Sequence, residues 1–380
     1  MSVYETPEHE PPAATGEREE RWVPSERDTT PAVGKPGEPA WRTRARDATV
    51  ALARARFADM RWSYLFGEET RYAREDGRPT DVARQPPPAD VHGPVMKPPV
   101  WTWEVPLYFW FGGVAAGSSF VALACDLAGD HRSARVARKV AMGALTPCPP
   151  LLVADLGRPA RFANMLRVVK PRSPMNMGAW CLTIFGALGS AAVAADETGR
   201  GRVAQALGGA NAVLGGYLGS YTGVLLAVTA VPLWARSRTF LPAIFVSTAT
   251  ASGAAACRLA LVATGLPAGH RTRTALGNVE TGAIAAELVL SAINERRLGR
   301  VGEALKRGRA GRLYRAGKLG VVTGVTLRAA RGRGVAVHHV ASALYLAAGL
   351  AFRYAWVEAG KASARDDEAV ALVGRRGEVG

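Results

Sequence analysis

The chain has 380 residues, 48% hydrophobic and 21% charged, with 48 basic against 32 acidic side chains and a formal net charge of +16. These averages look globular, but they hide a division: residues 1–99 are polar, proline-rich and charged, whereas residues 100–293 hold long runs of Ala, Val, Leu and Gly. That distribution excludes a simple soluble enzyme. The four cysteines, at 125, 148, 181 and 257, lack the close Cys-x-x-Cys spacing of an iron–sulfur ligand set and suggest no disulfide framework, so each reads as a small core residue.

Met1–Arg46, rich in Glu, Pro, Arg and Thr, suits disorder and lacks the basic-then-apolar pattern of a signal peptide. Asp47–Leu65 can form a short amphipathic helix, and the Pro-rich Gln85–Pro99 leads into the first apolar run. Crossing a hydrocarbon core of roughly 30 Å takes about 20 apolar residues. The predicted spans are Val105–Leu127, Val136–Ala154 (weakened by Pro147, Pro149 and Pro150), Met177–Ala195, Leu207–Val231, Phe240–Ala263, Ala275–Ile293, a short Leu319–Leu327 and Val335–Val357. Trp101, Trp103, Tyr108 and Trp110 stand at the start of the first span like an interfacial belt. Ala and Gly dominate and no period-two alternation appears, so strands are not expected. The fold class is all-α, a polytopic membrane bundle of about eight helices over 100–357, after the extension 1–99 and before a tail 358–380. Small residues such as Gly112, Gly113, Ala116 and Gly117 let helix backbones approach closely in lipid.

The positive charge gathers at the ends of the apolar runs, as at Arg132, Arg135, Arg138 and Lys139 and again at Arg296, Arg297 and Arg300. With no nucleic-acid motif beside it, this is the pattern of cationic membrane loops, and no nucleic-acid partner is expected. With eight spans, the basic loops 155–176, 235–239 and 294–318 share the side of the N-terminus, which the positive-inside rule places in the cytoplasm of a cell that holds the chain in its cytoplasmic membrane.

Only two of the six histidines, His338 and His339, fall in a span, and adjacent residues on a helix point apart, so paired haem ligation is not expected. They read as an interfacial pair near the outer surface. Glu280 and Glu287, seven apart, share one face of the sixth span, where a carboxylate needs a partner or a wet cavity. They and Asp155 are candidates for proton handling, with a hydrogen-bonded structural carboxyl as the alternative. Asp155 also has Arg158 close by for a local ion pair.

Two local patterns stand out. Asp155-Leu-Gly-Arg-Pro-Ala-Arg-Phe162 is a polar turn, followed by Ser173-Pro-Met-Asn-Met-Gly-Ala-Trp180, where Ser173-Pro174 caps the third helix. The segment Tyr217–Trp234 is a helix with Tyr217 and Tyr221 four apart on one face, ending at Pro232. Together with Lys97-Pro-Pro-Val-Trp-Thr-Trp-Glu-Val-Pro-Leu-Tyr-Phe109, these residues resemble the NrfD/PsrC family, the multi-span subunit of polysulfide reductase-like complexes. The resemblance covers about residues 97–293 and thins towards Glu358-Ala-Gly-Lys-Ala-Ser-Ala364. It implies two four-helix bundles, a menaquinone-like quinone bound between helices, and no haem or iron–sulfur cluster in this chain. It also implies an iron–sulfur ferredoxin-like partner and a molybdopterin-type catalytic subunit. Carried over by motif, the headgroup residues fall on Tyr108 and Tyr221, their phenols donating to quinone carbonyls. A family position that is usually a polar amide falls on Val105, and the neighbouring Glu104 is the candidate to take its place. The function expected is thus a membrane subunit exchanging electrons between an iron–sulfur partner and the quinone pool. The alternatives are a proton-conducting or transporting protein and a purely structural anchor.

Overall fold

The computed structural model describes residues 96–155, 162–171, 173–329 and 335–374. The expected helix over Asp47–Leu65 and Arg158, the expected partner of Asp155, lie outside the described residues. Within them every regular element is helical. The elements are α1 (Glu104–Leu127), α2 (His131–Leu145), α3 (Cys148–Asp155), α4 (Phe162–Arg167), α5 (Pro174–Glu197), α6 (Gly201–Ala227), α7 (Pro232–Arg236), α8 (Leu241–Ala263), α9 (Arg271–Leu298), a 3-10 turn (Gly299–Leu305), α10 (Gly308–Ala329), α11 (Val335–Ser363) and α12 (Asp367–Gly374).

Five described helices are long and apolar enough to cross a membrane by length and composition: α1, α5, α8, α9 with the turn that follows it, and α11. At 1.5 Å per residue, the 27 residues of α6 and the 22 of α10 extend about 40 and 33 Å. By length alone both could reach across a bilayer, but Gly and Arg dilute their apolar character and neither is among the five. The short run Leu319–Leu327 is thus the second half of a longer helix that begins at Gly308. The expected second span is not continuous. It breaks at Thr146 and Pro147 into α2 and α3, because proline lacks the N–H and its ring blocks the preceding turn. The last helix does not stop at Val357 but runs on to Ser363, and α12 follows within the expected tail.

Local chemistry sets the helix ends. Ser173 Oγ accepts from the Asn176 N–H at 3.4 Å with Pro174 in the first turn, the cap expected from the sequence. Asp130 caps α2 through the Ser133 N–H at 3.1 Å. Gly129 and Gly265 close α1 and α8 at φ of 75° and 79°, a left-handed conformation that a side chain disfavours.

In chain order the long helices form a first group, α1, α2, α5 and α6, and a second, α8 to α11; the two pack as one body, since α8 packs along α1 and α6 as well as along α9 and α11. Within the second group, α10 packs along α11 and α8 along α9. The groups meet where α1 crosses α8. A Cβ on Gly117 would collide with the Ala249 carbonyl, and one on Gly253 with the backbone at Gly117 and Ser118. This is the close backbone approach that small residues permit in lipid, where apolar side chains gain little by exchanging acyl chains for one another and packing distance decides.

Candidate functional site

A cleft opens at the end of the first group that holds the start of α1 and the α3–α5 linker. Its walls come from Val105 and Tyr108 on α1, Leu151 and Asp155 on α3, Gly178 on α5 and Tyr221 on α6, with Trp101 at its edge. The cleft encloses about 510 Å³, mouth included, yet only about 50 Å³ is wide enough to centre a water. Most of the cleft is therefore too narrow to hold a water, and its lining is mainly apolar. Tyr108 and Tyr221, 113 positions apart in sequence, are 5% and 3% exposed and line the same space.

The two phenols differ. Tyr221 Oη donates to the Pro174 carbonyl at 2.9 Å, so as it stands it offers lone pairs only, not the donor expected from the sequence. Its ring lies flat on α5 because Gly178 has no side chain; a Cβ there would overlap the phenol. Tyr108 Oη has no hydrogen-bond partner among the described residues. Asn176, one turn into α5, holds the linker in place. It accepts from the Lys170 N–H at 2.6 Å and donates to the carbonyls of Met165 and Val168 at 2.6 and 3.0 Å.

Glu104 is not in the wall of this cleft. It lies one turn before Tyr108, half-buried, and takes a hydrogen bond from Thr102 Oγ1. The carboxyl that lines the cleft is Asp155. Asp155 ends α3 at the mouth, where burial, reinforced by the charge of Glu104, pushes its carboxyl above the usual carboxylate range.

The aromatic residues at the start of α1 differ in their surroundings, with Tyr108 buried in the cleft wall. Trp103 is exposed, but Trp101 stacks on the buried Trp234, ring centroids 5.2 Å apart and 20° between planes. Trp234 Nε1 donates to the Trp356 carbonyl at 2.9 Å, and Gly360 leaves room for its ring. Trp110 Nε1 donates to the Leu346 carbonyl at 3.0 Å. Tryptophans thus tie the edge of the cleft to the second helix group. Sequence pattern does not single out Asn176, Gly178 or Trp234 as site residues. All three lie within the two segments that stand out in the sequence, Ser173–Trp180 and Tyr217–Trp234, but nothing local assigns them to a site.

The remaining carboxyl candidates lie in the second group. Glu280 is fully buried, paired with Arg328, and accepts from Ser342 Oγ at 3.0 Å. Glu287 accepts from Ser291 Oγ at 2.6 Å, and Glu295, further along α9, accepts from Tyr314 Oη and Lys318 Nζ, each at 2.6 Å. At 1.5 Å per residue these carboxyls mark about 22 Å of α9. Neither Glu280 nor Glu287 lines the cleft. His338 and His339 are not a simple interfacial pair: His339 Nε2 meets Arg273 at 2.9 Å, and the His338 carbonyl accepts from Arg258 at 2.7 Å. Among the described residues no three His, Cys, Asp or Glu side chains converge as a metal-ligand set.

Among curated proteins no relative matches this sequence. The family model described as polysulphide reductase, NrfD, matches residues 94–362, which takes in α1 with its aromatic lead-in, both tyrosines of the cleft and nearly all of α11. A match over that much of the chain, on a helical membrane architecture, means that the chain belongs to the NrfD family of polysulphide reductase membrane subunits.

Proposed function

We propose that this chain is the quinone-exchanging membrane subunit of a respiratory oxidoreductase, with the quinone headgroup in the cleft between α1, α3, α5 and α6. The observation that carries this reading is the convergence of Tyr108, Tyr221 and Asp155, from three different helices, on one narrow apolar slot. A quinone becomes a quinol by taking up two electrons and two protons, so its site must recognise two ring oxygens and supply or remove protons. Tyr108 Oη is the donor free to meet a carbonyl oxygen. Tyr221 Oη, held by Pro174, accepts from a quinol hydroxyl or turns to donate. Asp155 keeps its proton to higher pH than a free aspartate and stands at the mouth, where it can pass protons between the slot and water. The apolar wall suits the ring and its isoprenoid tail.

The electrons come from an iron–sulfur partner on this same end of the bundle, fed by a molybdopterin-type catalytic subunit, as family membership suggests. The basic loops at this end favour the cytoplasmic side by the positive-inside rule. A reporter fused at Pro99 that is active only in the periplasm would reverse that orientation. The reading is tested by quinone-linked turnover of the membrane-embedded complex. Tyr108→Phe is expected to slow it several-fold without loss of assembly, since a hydrogen bond to the headgroup contributes about 1 kcal/mol. Wild-type quinone kinetics in both Tyr108→Phe and Tyr221→Phe would move the site elsewhere and favour a structural anchor.

A second activity is favoured by the carboxyls of α9, two of them, Glu280 and Glu287, buried and Glu295 half-buried. Glu280, Glu287 and Glu295 occur at intervals that a proton could cover with intervening water, so the second group serves as a proton route. Glu287→Gln is expected to spare quinone binding and to slow any proton-coupled step.

A further inference from the structure

The second helix group buries more positive charge than its own residues neutralise. Arg258 on α8 and Arg273 on α9 are each 5% exposed, and Arg328 on α10 is nearly as covered. Hydrogen bonds join them into one cluster. Arg258 Nη1 donates to Ser342 Oγ at 3.0 Å and to the His338 carbonyl at 2.7 Å, and its Nε donates to the Arg273 carbonyl at 3.2 Å. Arg328 Nη2 reaches the same Ser342 Oγ at 3.2 Å and pairs with Glu280. Arg273 donates to the Leu266 carbonyl at 2.9 Å and meets His339.

Glu280 is the one carboxylate bonded in this cluster among the described residues, directly to Arg328 and through Ser342 to Arg258, while the Arg273 guanidinium bonds to no carboxylate there, which leaves an excess of two positive charges with the histidines neutral. The connecting sequence 330–334, Ala-Arg-Gly-Arg-Gly, contains no acid. Arginine does not shed its proton to escape this situation. Carbonyls and waters satisfy N–H groups but leave the charge uncompensated, which a weakly polarisable interior penalises heavily. Hydrogen bonding is incomplete in the same place: Arg273 Nε, Arg328 Nε and His338 Nδ1 are buried without a partner.

The geometry points to a binding site for a small inorganic anion, chloride being the commonest of that class, held among Arg258, Arg273 and Arg328. Access is short, because Arg258 lies in the last two turns of α8 and Arg273 in the first turn of α9, at the end of the helices opposite the cleft. This site is independent of the quinone reading. Its role is to complete the electrostatics of the second helix group.

The test is thermal unfolding of the purified full chain in detergent, in sodium gluconate or sodium chloride at equal ionic strength. The midpoint should rise by a few degrees with chloride and keep rising with the logarithm of its concentration, as expected for a ligand that binds only the folded state. Arg273→Gln should abolish the rise, and Lys139→Gln, which alters an exposed ion pair elsewhere, should keep it. Equal midpoints in the two salts would overturn the proposal. So would a rise in Arg273→Gln matching the wild type, or stabilisation by added phosphatidylglycerol alone, which would assign the arginines to a lipid headgroup. If Arg273→Gln does not fold, bromide-soaked wild-type crystals decide: an anomalous peak within hydrogen-bond reach of the Arg258, Arg273 or Arg328 guanidinium supports the site, and its absence refutes it.

Discussion

Arg138 in the first helix group and Arg258, Arg273 and Arg328 in the second are all buried arginines, yet their surroundings differ in sign. Arg138 stands between two carboxylates, 2.5 Å from Asp126 and 2.6 and 2.9 Å from Asp196, a triad that ties α1, α2 and α5 together. Its charge is more than matched. In the second group Glu280 pairs with Arg328 and meets Arg258 through Ser342, Arg273 bonds to no carboxylate among the described residues, and Glu287 and Glu295 lie further along α9. Helices of similar length and kind thus build two different interiors. The first group settles its charge at one end and leaves an apolar slot at the other. The second is ionic along much of its length, as a route for protons or a seat for an anion requires and a quinone ring does not.

The largest effect should come from unmatching the first group. Arg138→Met would leave Asp126 and Asp196 buried without a cation, a change that costs about 3–5 kcal/mol. Arg273→Met removes surplus charge and should cost far less in gluconate. Melting of the two variants side by side checks this, and equal losses would erase the contrast between the groups.

Next in size is the crossing that joins them. Gly253→Val drives a side chain into the α1 backbone and should cost about 3 kcal/mol, with a matching fall in melting temperature and in yield of monodisperse protein. Gly216→Ala, where nothing lies within 4 Å of the added Cβ, should leave both unchanged.

The cleft gives a smaller, divided result. Tyr221→Phe loses the bond to Pro174 and should lower stability by about 1 kcal/mol while also slowing quinone turnover. Tyr108→Phe should slow turnover with no loss of stability. Comparing melting with kinetics for each variant separates a phenol that holds the fold from one that meets the substrate.

The smallest effect is a pH slope. The folded state raises the Asp155 carboxyl, so it binds that proton more tightly than the unfolded chain does. The contribution to stability is therefore present at low pH and is lost as pH climbs from the ordinary carboxylate range through the raised folded value. Asp155→Asn should remove this slope, so that the wild type melts progressively lower than the variant as pH rises across that window. In turnover, the same variant should lose the acid-side advantage of the wild type. A pH profile unchanged by the substitution would take Asp155 out of the proton path.

Most of the helices are legible in the amino-acid pattern because a membrane span is a local property. A run of about 20 apolar residues satisfies its own backbone hydrogen bonds and needs no partner to be recognised. Ser173-Pro174 marks the start of α5 for the same reason, since a cap is made within four residues. The first half of α10 escapes such a reading because Arg309, Arg312, Arg315 and Lys318 look like a loop on hydropathy, although they sit on a continuous helix.

Sequence alone determined the helical class and the membrane setting and, through motif resemblance, named Tyr108 and Tyr221 as candidates. The tertiary structure decided which groups meet. Helical periodicity says which face a residue occupies but not what stands opposite it. Asp155 rather than Glu104 lines the slot because α3, broken from α2 by prolines, places its last residue there. Trp101 stacks on Trp234 from 133 positions away, and Gly178 matters only because the Tyr221 ring lies over it. Arg138 reads as one of a loop's cations until Asp126 and Asp196 are seen to enclose it. Each of these contacts depends on how separate helices pack against one another, and that is set by steric fit and charge matching between segments remote in the chain.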